Sequence, residues 1–201
     1  MPPENKSTRP LRIAGSLSHY LAEQRANLAN RLISTELRSG RILDIGCGWN
    51  PFFIAQTPFA EKFAIDRVTP ALDLQGVQWI NRDIEVTPQL PFEDNYFSAV
   101  TMLAVIEHLD PAPVQILLQE VYRVLKSGGV FIMTTPSAWS DGLLHWLARA
   151  RIVSEDGIHS HVCVYSMALL GWQCGQAGFA MDRVRFGYFE AFLNMWAMAT
   201  K

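Results

Sequence analysis

The residues best placed to do chemistry lie in a glycine turn that follows an apolar run. Residues 42–48 read ILDIGCG, and the two glycines remove side chains where a ligand must approach the backbone. Backbone N–H groups of such a turn often cradle a pyrophosphate. Here, however, the fifth residue after Gly46 is Pro51 instead of the third glycine of a dinucleotide fingerprint. Asp44 also places a carboxylate beside the turn, which would repel an anion and favours a cofactor with cationic groups and no phosphate.

Two more acids follow the next two apolar runs. Asp66 stands 22 residues after Asp44, where a doubly wound sheet places an acid for two ribose hydroxyls. Asp83 can accept a hydrogen bond from an adenine amino group, and the N–H of Ile84 can reach a ring nitrogen. A single acid at such a position is usually a solvated strand end. Three in succession indicate a nucleoside site, and Asp44 favours S-adenosylmethionine, which carries an ammonium and a sulfonium, over NAD.

The elements that must position these acids alternate between strands and helices. Short apolar runs without polar alternation are typical of strands buried on both faces of a parallel sheet. They predict strands over residues 41–44, 62–66, 77–80, 97–103 and 130–135, and two closing strands over 180–185 and 195–200. This order predicts an open, doubly wound α/β sheet with helices on both faces and its ligand at the carboxyl ends of the strands.

Apolar residues at helical spacing predict three helices. Their caps and stop signals give bounds of 16–38, Asp110 to Gly128-Gly129, and Ser166 to Gly178. The first ten residues are polar and rich in proline, so we expect residues 1–15 to form a mobile tail. Residues 16–201 are then predicted to form a single domain.

Composition and charge exclude several classes of protein. The 201 residues suit one domain, and 49% hydrophobic with 18% charged residues is a globular balance. The net charge is −2 and no basic run is present, which disfavours a nucleic-acid binder. No apolar stretch reaches the ~18 residues of a membrane-spanning helix, and no signal-peptide core is visible. Three cysteines do not suggest a disulfide framework, so we expect a cytoplasmic protein.

Six segments match a known family in order. They read ILDIGCG at 42–48, FAID at 63–66, RDIE at 82–85, LPFEDNYFSAVTMLAVIEHLDP at 90–111, EVYRVLKSGGVFIMTTP at 120–136 and AGF at 177–179. On these segments the chain resembles the class I S-adenosylmethionine-dependent methyltransferases. It is most similar to the small-molecule type 11 group, which includes quinone-biosynthesis enzymes. The resemblance implies a seven-stranded sheet in which only the last strand is antiparallel.

The resemblance also implies a set of cofactor-binding residues. The set is Asp44, Gly46, Cys47, Gly48, Asp66, Arg67, Asp83, Ile84, Leu103 and Ala104. The glycine turn would lie beside the methionine part of the cofactor, and the acids at 66 and 83 would take the ribose and the adenine. Backbone carbonyls at 103 and 104 would lie near the amino group. The family often has a small residue where this chain has Trp49, which either packs over the cofactor or belongs to the core.

Two histidines are candidates for a catalytic base. Methyl transfer requires alignment of the acceptor and exclusion of water, and a base only where the acceptor must lose a proton. His108 follows the fourth strand on the ligand side, where it can take a proton or, alternatively, cap or pack against the next helix. His161 is the second candidate, because similar enzymes often carry a histidine before the last helix. His159, His161 and Cys163 would share one face of a strand, but they lack a fourth ligand nearby, so no metal site is expected.

The acceptor is expected to be a small molecule. Residues 137–160 are predicted to form a lid or acceptor-recognition insertion, or alternatively an extra packed helix, and their apolar stripe would suit an apolar, lipid-linked or saccharide-linked acceptor. Residues 101–106 lack the Asn/Asp-Pro-Pro-aromatic motif of nucleic-acid amino methyltransferases. The acceptor atom stays open between oxygen, carbon and nitrogen. The alternatives are an inactive cofactor-binding scaffold or regulatory partner and, less favoured, a nicotinamide-dependent oxidoreductase.

Overall fold

The computed structural model describes residues 12–70, 75–138 and 162–201 and contains a seven-stranded sheet. Its strands are β1 (Arg41–Ile45), β2 (Glu61–Asp66), β3 (Val77–Asn81), β4 (Phe97–Leu103), β5 (Leu125–Pro136), β6 (Val184–Phe189) and β7 (Asn194–Thr200). Their order is β3-β2-β1-β4-β5-β7-β6. β7 is antiparallel to both of its neighbours, and all other pairs are parallel. The predicted doubly wound sheet, with only its last strand antiparallel, is confirmed.

Helices cover both faces of the sheet. The described helices are α1 (Arg12–Leu32), α2 (Phe52–Gln56), α3 (Pro111–Val124) and α4 (Met167–Ala177), with 3-10 turns at Glu36–Ser39, Ile106–His108 and Met181–Arg183. Residues of α1 and α2 share one apolar layer with Ile42 and Ala64, and residues of α3 and α4 share the other with Leu43 and Phe63. Neighbouring residues of β1 thus enter different layers, which is why the strand does not alternate between apolar and polar residues. None of these described helices is long and apolar enough to cross a lipid bilayer.

Parallel pairing brings the predicted acids to one edge of the sheet. Asp44 of β1 is in register with Ala64 of β2 and Thr101 of β4. Asp66, at the end of β2, is in register with Asn81 at the end of β3. The carboxyl ends of four strands therefore meet at this edge, where an open α/β sheet binds its ligands.

Most predicted bounds are close to the observed ones. The strand over 97–103 is confirmed without change, and β1, β2, β3 and β7 differ from their predicted bounds by one residue. The helix after Ser166 is also confirmed as α4. The Ser166 hydroxyl accepts a hydrogen bond from the N–H of Leu169 at 3.2 Å, and Gly178 ends the helix at φ 113°.

The first helix differs from its prediction at both ends. It begins at Arg12, so residues 12–15 are helical instead of part of a tail, and it ends at Leu32 instead of residue 38. The guanidinium of Arg38 donates to the carbonyl oxygens of Asn30 at 2.8 Å and Ile33 at 3.4 Å. Carbonyls at a helix end lack intrahelical partners, so this side chain replaces a further helical turn.

The junction between α3 and β5 was also predicted wrongly. α3 ends at Val124, before its glycine signal, because the chain becomes extended at Leu125 (ψ 139°) and pairs with Phe97 of β4. Gly128, at φ 78°, lies in an irregular stretch of β5 where the register with β4 shifts. A glycine there permits a bulge in the strand instead of ending the helix.

Two smaller corrections concern a helix cap and the last hairpin. Asp110 occupies the cap position of α3, but its side chain makes no capping hydrogen bond. β6 spans Val184–Phe189 instead of the predicted 180–185, because a 3-10 turn over Met181–Arg183 comes first. Neither change alters the strand order at the ligand edge.

Candidate functional site

The glycine turn after β1 is held by hydrogen bonds to β2. The N–H of Gly46 donates to the carbonyl of Ile65 at 2.8 Å, and the N–H of Gly48 donates to Oδ2 of Asp66 at 2.7 Å. The second carboxylate oxygen, Oδ1, accepts from the N–H of Val68 at 2.8 Å. Asp66 thus fixes both the turn and its own loop. Each of its oxygens keeps a further lone pair for a ligand.

A cleft of about 370 Å³ opens beside this turn. Its volume lies within the usual range of small-molecule pockets, ~300–1,000 Å³. Its lining includes these residues predicted from the sequence: Gly46, Gly48, Asp66, Arg67, Asp83, Ile84, Ala104 and His108. The structure therefore brings most of the predicted site into one cleft.

An ion pair on the cleft wall orients Asp83. Its Oδ2 lies 3.5 Å from Nη1 of Arg67, and its Oδ1 accepts from the N–H of Glu85 at 3.0 Å. The two paired side chains are 65% (Arg67) and 34% (Asp83) exposed, so solvent screens the pair and it adds little to stability. The carboxylate is oriented and remains accessible to a ligand.

A second, smaller cavity of about 100 Å³ shares Gly46 with the cleft. Asp44, Cys47 and Leu103, which do not line the cleft, line this cavity together with Arg25 of α1. A carboxylate and a guanidinium therefore stand on the walls of one small space. A zwitterion with one ammonium and one carboxylate matches this pair of charges.

Asp44 is almost fully buried. Its side chain is 3% exposed, and its Oδ1 accepts a hydrogen bond from the hydroxyl of Thr101 at 2.6 Å. Burial raises the pKa of Asp44 to about 7, the charge of Asp66 acts in the same direction, and the Thr101 hydrogen bond opposes it. A cation entering the cavity would favour the ionised form of this carboxyl.

Arg25 is a site residue that the sequence did not single out. Burial lowers the pKa of its guanidinium, while the carboxylates of Glu190 and Glu107 raise it. In the sequence, Arg25 only precedes Ala26 on the predicted apolar stripe of the first helix. Its approach to the glycine turn depends on how α1 packs on the sheet, which the helical pattern alone does not define.

The chain leaves β4 through a left-handed residue at the site. Ala104 has φ 57°, and its N–H donates to the carbonyl and the hydroxyl of Thr134 at 3.0 and 3.1 Å. This conformation is strained for a residue with a Cβ, and such strain is common at functional sites. It directs the chain into the 3-10 turn Ile106–His108, which brings His108 to the cleft.

The comparison that decides the family is with a model of a methyltransferase domain, which matches residues 17–184. The chain belongs to this methyltransferase family. The match confirms the predicted methyltransferase domain, and the family and its solved structures support S-adenosylmethionine as the cofactor.

Known proteins resemble this methyltransferase in part or over most of its length. The ubiquinone/menaquinone biosynthesis C-methyltransferase UbiE of Desulfotalea psychrophila is 46% identical over 66 residues, which are 32% of this chain and 25% of that relative. The match thus spans a quarter of that protein. A SAM dependent methyltransferase from Archaeoglobus fulgidus has a TM-score of 0.66 at 18% identity, covering 90% of this chain and 94% of its own. Phosphoethanolamine N-methyltransferase 2 of Haemonchus contortus was solved with S-adenosyl-L-methionine and has a TM-score of 0.64 at 16% identity. The match covers 89% of this chain and 52% of that protein. These two structures share the fold.

The residues of this methyltransferase fit S-adenosylmethionine. The cleft presents the carboxylates of Asp66 and Asp83 to a nucleoside, and the adjoining cavity presents Asp44 and Arg25 to an amino-acid group. A Cβ added at Gly48 would meet no atom within 4 Å, so the turn is open to a ligand at this point.

Three further residues singled out from the sequence are His108, Trp49 and His161. His108 is half-buried on the cleft wall, and its backbone N–H donates to the carbonyl of Val105 at 3.0 Å. Trp49 is 64% exposed, so the core, one of its two predicted alternatives, is wrong. His161, and residues 139–160 of the predicted insertion, lie outside the described residues.

Gly46→Ala should destabilise this methyltransferase more than Gly48→Ala. Both residues have positive φ, 72° and 71°, which costs a side chain about 1–3 kcal/mol. Only at Gly46 would the new Cβ also clash, 2.5 Å from Cγ2 of Val105. Urea unfolding of both variants measures the difference. Equal losses of unfolding free energy would contradict the close packing of Gly46 on Val105.

Proposed function

We propose that this methyltransferase transfers the methyl group of S-adenosylmethionine to a small-molecule acceptor. The observation that carries the proposal is the cleft and the charged cavity joined at Gly46, which together match a nucleoside linked to an amino acid. The names of two relatives, for quinone biosynthesis and for phosphoethanolamine, support a small acceptor. The sequence contains no basic run for a nucleic-acid acceptor.

The nucleoside half of the cofactor is assigned to the large cleft. Asp66 accepts the ribose hydroxyls through the lone pairs that its backbone contacts leave free. Asp83 and Ile84 receive the adenine edge, and Arg67 orients Asp83 through their ion pair.

The amino-acid half is assigned to the small cavity. Asp44 binds the ammonium, together with the backbone carbonyls of Leu103 and Ala104. Arg25 binds the carboxylate, because a guanidinium pairs well with a planar anion. Cys47 lines the same cavity, and burial raises the pKa of its thiol.

S-adenosylmethionine supplies a methyl group already activated by its sulfonium leaving group. The residues of this chain therefore mainly hold the acceptor in line and exclude water. For acceptors that must lose a proton, His108 on the cleft wall remains the histidine candidate for the base, and His161 is the second.

Arg25→Met should weaken S-adenosylmethionine binding about tenfold or more while keeping most of the packing volume. The variant removes a charge-assisted pair to the cofactor carboxylate, for which ~1.5–3 kcal/mol is typical. Calorimetry should show no change for 5′-methylthioadenosine, which keeps the nucleoside and lacks the amino acid. Equal weakening of both ligands would contradict the assignment of Arg25 to the carboxylate.

The proposed function is tested with radiolabelled S-adenosylmethionine and three separate acceptor fractions. These are a protein-free small-molecule extract, total RNA and a protein extract. We expect label to appear in the small-molecule fraction, and label in RNA or protein alone would contradict the proposal. Binding of S-adenosylmethionine without transfer to any fraction would instead favour the inactive scaffold.

A cytoplasmic location is proposed from the cysteines. Cys47, Cys163 and Cys174 are all free thiols in the described structure. Free thiols persist in a reducing compartment.

A further inference from the structure

Thr101 is a polar residue inside the apolar sheet. It is fully buried in β4, and a buried hydroxyl costs free energy unless it is hydrogen-bonded. Its Oγ1 lies 2.6 Å from Oδ1 of Asp44 and 3.4 Å from the carbonyl oxygen of Leu43. A hydroxyl has one hydrogen to donate, so the shorter contact, to the carboxylate, takes it.

Strand register holds this contact in place. Asp44 and Thr101 are paired residues of the parallel strands β1 and β4, and Ile132 of β5 continues the same row. Paired side chains stand on one face of a sheet, and Ile132 belongs to the apolar layer of α1 and α2. The small cavity is lined by Asp44 together with residues of α1 and α2, but not by Thr101. Thr101 therefore contacts the carboxylate from outside the ligand space.

The two oxygens of the Asp44 carboxylate have different partners. Oδ1 accepts the Thr101 hydrogen at a distance typical of a hydroxyl-to-carboxylate bond, ~2.5–2.7 Å. No group of the described residues donates a hydrogen bond to Oδ2. Because a carboxylate is planar, the anchored Oδ1 restricts the direction of Oδ2, and Oδ2 is left for a ligand in the cavity.

The charged and titratable groups around Asp44 come from several elements. Burial and the charge of Asp66, at the end of β2, raise the pKa of Asp44, and the Thr101 hydrogen bond lowers it. Arg25 of α1 and the neutral thiol of Cys47 line the same cavity, and the residues that α2 adds are aromatic. Of the described groups that shift this pKa, Thr101 alone favours the ionised carboxylate.

We infer that Thr101 is a positioning residue for the cofactor: its hydroxyl anchors one oxygen of Asp44 so that the other meets the ammonium group of S-adenosylmethionine. The inference rests on the proposed assignment of Asp44 to that ammonium. Thr101 lines neither cavity and acts through Asp44. Its hydroxyl also extends cofactor binding to lower pH, because a charge-assisted hydrogen bond stabilises the carboxylate more than the neutral acid.

The first test is Thr101→Val, which replaces the hydroxyl by a methyl group of similar size. Binding of S-adenosylhomocysteine, which keeps the ammonium and lacks the sulfonium, is measured by calorimetry from pH 5.5 to 9. The wild-type affinity should rise with pH up to about 7, and in the variant the rise should end about one pH unit higher. At pH 7 the variant should bind at least about fivefold more weakly. Thr101→Ala, which also lacks the hydroxyl, should show the same shift.

Two control variants separate this role from a purely structural one. Thr101→Ser keeps the hydroxyl and should restore the wild-type pH profile. Thr135→Val removes a buried hydroxyl that has no hydrogen-bond partner within the described residues. Thr135 lies two residues after Met133, on the opposite face of the sheet from Asp44, so this variant should also keep the profile. 5′-Methylthioadenosine, which has no ammonium, should bind equally to the wild type and all variants.

The second test needs no ligand. The unfolding free energy of the wild type should fall as the pH rises from about 4 to 7, because folded Asp44 keeps a proton that the unfolded chain releases. In Thr101→Val the fall should continue to about pH 8, and in Thr101→Ser it should end where it ends in the wild type. Urea unfolding at a series of pH values measures the three profiles.

Unchanged pH profiles of S-adenosylhomocysteine binding in folded Thr101→Val and Thr101→Ala would overturn the inference. An equal shift in Thr101→Ser or Thr135→Val would also overturn it, because the hydroxyl would then not be the cause. A wild-type affinity that is independent of pH would contradict the underlying assignment of Asp44. The proposed methyl transfer is judged separately, by the fraction that receives the radiolabel, so the two claims can fail independently.

Discussion

Asp66→Ala should weaken the binding of both S-adenosylmethionine and 5′-methylthioadenosine by about 100-fold or more. The variant loses two charge-assisted hydrogen bonds to the ribose, at ~1.5–3 kcal/mol each. It also frees the N–H groups of Gly48 and Val68, which Asp66 holds at 2.7 and 2.8 Å. Calorimetry with both ligands measures the effect, since both carry the ribose.

The control for this variant is Asp182→Ala, which removes an exposed acid outside both cavities. Its affinity for both ligands should equal that of the wild type. Asp66→Ala should still fold, with a lower unfolding free energy, because the glycine turn also retains the bond from Gly46 to Ile65. An unchanged dissociation constant in the folded variant would refute the ribose assignment.

Asp44→Asn should have opposite effects on stability and on binding. Burial raises the pKa of Asp44 from 3.8 to about 7, so the folded protein without ligand retains a proton that the unfolded chain releases. Stability therefore falls as the pH rises from about 4 to 7, and the full penalty, up to about 4 kcal/mol, is present above pH 7. At pH 8 the asparagine variant should be more stable than the wild type, as measured by urea unfolding.

The same variant should bind S-adenosylmethionine much more weakly at pH 8, by about 100-fold, because the ammonium loses its buried counter-charge. In the wild type the affinity should rise with pH up to about 7, since the ionised carboxyl binds the cation. 5′-Methylthioadenosine, which has no ammonium, should show neither effect. A pH-independent affinity for S-adenosylmethionine between pH 5.5 and 8 would contradict the role of Asp44.

Local patterns in the sequence predict the sheet well, because a strand that is buried on both faces is apolar at successive positions. The run 97–103 is apolar on both faces and matches β4 without change. The bounds that were wrong depend on contacts that the helical spacing does not encode. α1 ends early because Arg38 folds back on its last carbonyls, and α3 ends early because Leu125 pairs with Phe97.

The site residues also fall into two groups, those that the strand pattern predicts and those that depend on tertiary packing. Asp44 and Asp66 lie near the carboxyl ends of β1 and β2, and Asp83 follows β3, so topology alone brings them to one edge of the sheet. Arg25 approaches that edge from helix α1, and only tertiary packing determines this approach. No spacing in the sequence connects Arg25 to the glycine turn.

The most direct test of the central claim is calorimetric titration of the purified protein with S-adenosylmethionine and with NAD. The claim is that Asp44 and the glycine turn select a phosphate-free cationic cofactor. At pH 8, where Asp44 is ionised, we predict measurable binding of S-adenosylmethionine and none of NAD, since the buried carboxylate repels a pyrophosphate at the turn. Tight binding of NAD with no response to S-adenosylmethionine would contradict the account.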